Sequence, residues 1–93
     1  MECKEIYFSG HAVKRIFERA ISSGDVAWVV RNGETIRDYP EDSPHPSSLV
    51  LGFVEGRAIH VVVAQDQATG FCFIITAYEP DPHLWTDDFE RRR

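Results

Sequence analysis

Cysteine is scarce in this chain, represented only by Cys3 and Cys72, and neither sits in a C-x-x-C spacing. Two such residues are too few for a disulfide scaffold and exclude a structural zinc site built from thiolates. None of the four histidines pairs at an H-x-x-x-H spacing, so neither a metal nor a cofactor is expected. Glycine-rich phosphate loops, a G-x-S-x-G elbow and paired catalytic carboxylates are also missing. No apolar run approaches the roughly 18 residues of a membrane helix. The opening Met1-Glu2-Cys3-Lys4-Glu5 lacks the apolar stretch of a secretory signal. Together these absences fit a reducing cytoplasm best. Basic charge is in deficit as well: 10 Lys and Arg stand against 15 Asp and Glu, for a net charge of −5. That balance excludes tight, salt-driven, nonspecific coating of nucleic acid.

What is present is a globular composition, 43% hydrophobic with 11 aromatic residues, in 93 residues that allow a single domain spanning 1–93. The charge is uneven. Residues 1–37 hold six cationic and five acidic side chains, whereas residues 38–93 hold four and ten. The acidity therefore belongs to the loops and the C-terminal half, and the arginines gather on and around the first helical segment.

Apolar residues Ala12, Val13, Ile16, Phe17, Ala20 and Ile21 recur at helical spacing, predicting a helix from Ser9, its N-cap, to Ser22. A second helix begins near Ser23 and carries Val26, Ala27, Val29 and Val30. Asn32-Gly33 ends it, with glycine expected in a left-handed conformation. Strands follow over Glu34–Tyr39, Ser48–Val54, Arg57–Gln65 and Phe71–Tyr78, joined at Glu55-Gly56 and Asp66–Gly70 by hairpin turns. Three prolines make Pro40–Ser47 an exposed loop. Trp85 locks the tail onto the body, and Thr86 caps a final short helical turn. The expected fold is α+β: two N-terminal helices on a four-stranded antiparallel sheet, with a short C-terminal helical turn.

Two sets of polar residues interrupt the apolar patterns. His11, Arg15 and Arg19 recur at i, i+4 and i+8 and form one stripe beside the apolar face of the first helix. The stripe reads either as an anion-binding ridge or as an ordinary solvated helix face. His60 lies inside the apolar run Ala58–Val63. If Asp66–Gly70 closes a symmetric hairpin, His60 stands opposite Thr76, on the face shared with Cys72, Ile74 and Tyr78. The Glu55-Gly56 turn places Leu51 on its other side. His60, Thr76 and Tyr78 then form a polar cluster, and the competing reading is a core histidine bonded to a backbone carbonyl or to Thr76. Cys72 reads as a small core residue.

Four motifs occur in order: His11-Ala12-x-x-Arg15-x-x-x-Arg19, Asn32-Gly33-Glu34-x-Ile36-x-x-Tyr39, Gly56-Arg57-x-Ile59-His60-Val61-Val62 and Ile75-Thr76-Ala77-Tyr78-x-Pro80. Over roughly residues 6–90 the chain resembles a small bacterial family of domains of unknown function. That family is in turn similar to the RelE/ParE-like toxins of toxin–antitoxin systems. The resemblance implies two helices before an antiparallel sheet, a zinc-finger antitoxin as a partner, and, in the ribonuclease branch, metal-independent cleavage of RNA by its own 2′-hydroxyl.

Set against that chemistry, His11 and His60 are the candidate proton-transfer groups. Arg15, Arg19 and Arg57 are candidate phosphate binders, with Thr76 at the same site. Tyr78 is placed to position the 2′-hydroxyl or the leaving group. The strongly basic surface of ribosome-dependent toxins is missing. Two functions follow as expectations: a toxin-like ribonuclease acting on RNA, or a non-catalytic protein-interaction module of the same fold. Convergence of His11, Arg15, His60 and Tyr78 on one concavity favours the first, and burial of His60 against a backbone partner favours the second.

Overall fold

The computed structural model describes all 93 residues. Elements follow in the order β1 (Glu5–Phe8), α1 (Gly10–Glu18), α2 (Ser23–Asn32), β2 (Glu34–Tyr39), β3 (Ser47–Val54), β4 (Arg57–Asp66) and β5 (Phe71–Tyr78). The five strands form one sheet in the order β1-β5-β4-β3-β2. Three neighbouring pairs are antiparallel, and β1 runs parallel to β5. This corrects the expected architecture: the sheet is five-stranded and mixed, and a strand precedes the two helices. β1 escapes periodicity because it is only four residues long, with two half-buried side chains alternating with two exposed ones. Its pairing with the last strand is a contact between the two ends of the chain. The expected C-terminal helical turn is also absent. Thr86 caps no helix, and residues 80–93 make turns and a single bridge between Trp85 and Arg92.

Both helices start on serine caps. The Ser9 hydroxyl accepts from the Ala12 N–H at 3.0 Å and the Ser22 hydroxyl from Asp25 at 3.0 Å, each satisfying one orphan donor. α1 is shorter than its apolar periodicity. Ala20 takes a left-handed conformation (φ 55°), its N–H bonds to the Phe17 carbonyl, and Ile21 N–H returns to the Ile16 carbonyl at 2.9 Å. That is a Schellman ending. Ile21 therefore packs as the buried residue after the helix and not as its last turn. Gly33 ends α2 with φ −79° and ψ −177°, an extended conformation, so left-handedness is not why glycine stands there. A Cβ at Gly33 would lie 2.4 Å from the Leu51 carbonyl oxygen and 2.6 Å from that of Val29. Glycine there permits close contact between the end of α2 and β3.

α1 packs on β5 and β1, and α2 on β3 and β4. Val50, Ile59, Val61, Val63, Cys72, Ile74 and Ala77 form one buried cluster with Ala12 and Ile16 of α1 and with Val26, Val29 and Val30 of α2. Leu49, Leu51, His60 and Ala64 are buried outside that cluster, on the opposite face. There the cover is irregular: the tail at one end and the proline-rich loop at the other.

The β4–β5 register departs from a symmetric hairpin in two steps. The turn closes with Asp66 opposite Phe71, and a bulge lets Val62 pair with Thr76 while Val63 pairs with Ile74. The first step exchanges faces for the residues near the turn. Cys72 and Ile74 go to the helix side, and Phe73 and Ile75 line the opposite one. The second step moves His60 from the expected Thr76 to Tyr78, while Leu51 stands on its other side.

Cys72 is also more than a small core residue. It is disulfide-bonded to Cys3 across 69 positions of sequence, and no free thiol remains. The cysteine count therefore gives no argument for a reducing compartment. Closing a loop of that length is worth about 4 kcal/mol in the chain-entropy account. Removing the bond with Cys3→Ala and Cys72→Ala together should cost a stability of that order in urea unfolding. Adding reductant should lower the wild type toward the double variant and leave the double variant unchanged.

Candidate functional site

The sequence candidates separate into three places. His11 and Arg15 are exposed on α1, in the layer on one side of the sheet. Arg19, Arg57 and Thr76 meet beside the end of that helix. His60 and Tyr78 meet on the opposite side of the sheet. His11 and His60 are thus divided by the sheet itself, and no single concavity gathers the seven residues.

The arginine cluster is occupied by the fold. β1 pairs with β5 only from Phe71 to Ile74. Beyond it, the Arg19 guanidinium donates to the Ala77 carbonyl at 2.8 Å and to the Thr76 hydroxyl at 3.1 Å. Arg57 donates to the carbonyls of Ala20 at 2.9 Å and Arg19 at 3.2 Å, and to the Glu79 carboxylate at 2.6 Å. Both cations therefore satisfy backbone acceptors, Arg57 at the negative end of a helix dipole. A phosphate would have to displace these partners.

His60, paired with a half-buried Tyr78, is the most enclosed polar side chain of the molecule. His60 has no solvent exposure. Its Nε2 lies 2.8 Å from the Phe89 carbonyl oxygen, and its Nδ1 lies 3.4 Å from the Tyr78 hydroxyl. A carbonyl only accepts, so Nε2 carries the proton and Nδ1 is left as an acceptor facing the hydroxyl. The Trp85 ring meets the imidazole edge to face at 4.4 Å, and the Tyr78 ring does so at 5.4 Å. Burial pulls the imidazole below its ordinary 6.5, partly countered by the bond to Phe89. Burial likewise raises the Tyr78 phenol, reinforced by Tyr39 and opposed by Arg92, Arg19 and Arg37. The pair is therefore a neutral base beside a neutral acid, with cationic side chains in electrostatic range.

Sequence reasoning did not identify Phe89 as the partner of His60, because a backbone carbonyl carries no residue signature. It also passed over an aromatic row on the same face at the far end of β5. Tyr7 packs on Phe71 (5.5 Å) and stacks on Phe73 (5.6 Å), and Phe73 stacks on His45 (5.7 Å). Tyr7 is 44% exposed and Ile75 46%. A recess of about 380 Å³ opens beside them, lined by Pro44, His45, Ala64, Phe73 and Ile75 together with Asp42 and Ser43. Alternation in Phe71-x-Phe73-x-Ile75 and the i, i+2 spacing were the available signals. No group of three or more His, Cys, Asp and Glu side chains gathers to hold a metal ion. No helix is long and apolar enough to cross a membrane.

The lowered His60 pKa has a definite sign in stability. Above about pH 6.5 the ring is neutral both folded and unfolded and contributes no pH dependence. Below it the unfolded imidazole takes a proton that the buried one resists. Stability should therefore fall as pH drops from 6.5 toward the depressed folded value, by at most about 1.4 kcal/mol per pH unit. In urea unfolding at pH 7.5, 6 and 5, the advantage of wild type over His60→Gln should shrink below pH 6.5. A constant difference would contradict the assignment.

No curated protein and no solved structure matches the chain. A family model described as "Domain of unknown function (DUF4258)" matches residues 8–79, which include both helices and strands β2 to β5. The chain belongs to that family.

Proposed function

We propose that the chain is a protein-interaction module that adds an extended partner segment to the outer edge of β1. The observation that carries this reading is the unpaired edge itself, flanked by the exposed Tyr7 ring and Ile75 side chain. β1 is the terminal strand of the sheet and bonds only to β5, so its outer N–H and C=O groups have no strand partner. Such an edge invites strand addition, in which backbone bonds give affinity and alternate side chains give specificity. Alternate apolar side chains of an added strand would meet Tyr7, Phe73 and Ile75. The likeness to RelE/ParE-like toxin domains makes an antitoxin the candidate partner, and a zinc-finger antitoxin the particular one it implies.

Photo-crosslinking in cells tests this directly. A benzophenone side chain at position 7 or 75 should give one discrete protein adduct, and one at exposed Lys14 none. Absence of an adduct at 7 and 75 would contradict the proposal. Adducts only to a second copy of the chain would do the same.

The second reading is a toxin-like, metal-independent ribonuclease, and one observation favours it: His60 and Tyr78 are in contact as a neutral acid–base pair. In that role His60 would accept the 2′-hydroxyl proton and Tyr78 would position the reacting oxygen. The backbone partner of His60 and its lack of exposure weigh against it in the closed molecule. Purified protein should cleave messenger, transfer or ribosomal RNA in EDTA, and His60→Ala and Tyr78→Phe should each lower the rate about 100-fold or more. Equal inertness of wild type and variants would remove the enzyme reading.

A further inference from the structure

The segment Pro80–Arg93 lies wholly beyond the family-matched residues 8–79. It is bonded chiefly to itself. Thr86 N–H donates to the Arg91 carbonyl and Arg93 N–H to the Leu84 carbonyl, both at 2.8 Å. The Arg93 guanidinium donates to the Pro82 carbonyl at 2.9 Å and pairs with Asp87 at 2.7 Å. Arg92 sits 5.6 Å over the Trp85 ring. A segment tied together in this way leaves the sheet as one unit, and once off it has no core of its own to shield those bonds from exchange.

Its attachment is narrow by comparison. One backbone-anchored hydrogen bond crosses to the sheet, from His60 Nε2 to the Phe89 carbonyl, and one large side chain is driven in, Trp85 at 5% exposure. Elsewhere the segment sets Glu90 beside Glu34 of β2, carboxyl against carboxyl. Glu90 is raised above its ordinary value by its hydrogen bond with Asp88 and then by the nearby Glu34 charge on β2. Beneath the segment lies the only fully buried titratable ring in the chain.

We propose that Pro80–Arg93 is a detachable cap, which opens as a unit while sheet and helices remain folded and whose closure withholds the His60 imidazole, the partner of Tyr78, from solvent. The segment acts as an internal ligand: an aromatic ring against the imidazole and a carbonyl accepting its proton. An opened molecule presents a histidine and a tyrosine hydroxyl at an apolar recess floored by Leu51. The proposal is independent of the β1-edge reading, because it concerns the other end of the face and a different element.

Native-state hydrogen exchange on the full chain tests it. The bonded amides of Trp85, Thr86, Phe89 and Arg93 should exchange together, at least about tenfold faster than Val61 and Val63 in β4. Trp85→Ala should strip protection from those cap amides while β4 stays protected. It should also make His60 reactive toward diethyl pyrocarbonate at pH 7, where it is inert in wild type. Cap and β4 amides exchanging at one common rate would overturn the proposal, and this readout needs no variant. In a folded Trp85→Ala chain, His60 remaining inert would also overturn it.

Discussion

The imidazole of His60 is where the strands and the tail meet. It stands between Leu51 of β3 and Tyr78 of β5, its Nε2–H held by the Phe89 carbonyl and its ring wedged against Trp85. A buried polar ring is tolerated only when its donor and acceptor are both used, since an orphaned group costs about 1–3 kcal/mol. Here both nitrogens have partners, and no buried side-chain nitrogen or oxygen in the molecule lacks one. The same geometry makes the ring neutral, because protonation would put an uncompensated charge where water does not reach. Order in the tail, neutrality of the ring and its contact with the Tyr78 hydroxyl are consequences of one arrangement.

The two faces of the sheet meet their cover differently. On one side, helices bury a valine- and isoleucine-rich surface that the Cys3–Cys72 bond ties to the N-terminal segment. The other side is closed by pieces without regular structure, the tail over His60 and the loop at His45. Between that loop and the β1 edge it is left partly open, at Tyr7 and Ile75. Two of the three arginines that the sequence offers for phosphate, Arg19 and Arg57, are consumed at the seam between α1 and β5. There Arg19 bonds the Ala77 carbonyl on a stretch of β5 that β1 is too short to cover, and Arg57 bonds the carbonyls at the end of α1.

Much of this organisation was legible in the residues. The Ser9 cap, helical periodicity and alternation locate both helices and the four strands from Glu34 onward, because each depends on neighbours a few positions away. β1 was not legible, since its four residues become a strand only by pairing with Phe71–Ile74. The bulge at Val62/Val63 was hidden for a related reason. An extra residue at Ile75 alters no composition or period strongly, yet it carries His60 from Thr76 to Tyr78. His60 is conspicuous in the sequence as a histidine among valines. Its partner is not, because any residue at position 89 offers the same carbonyl. His11 and Arg15 illustrate the opposite limit: a regular stripe on a helix says nothing about which side of a sheet the helix covers.

The account turns on the state of that one ring, and nitrogen-15 NMR of the imidazole reads it directly. At neutral pH His60 should show the neutral Nε2–H tautomer, with a proton that exchanges slowly enough with water to be observed. Its midpoint should lie below 6.5. An imidazole that exchanges rapidly with solvent and titrates at the ordinary value would contradict the sealed ring on which the account depends.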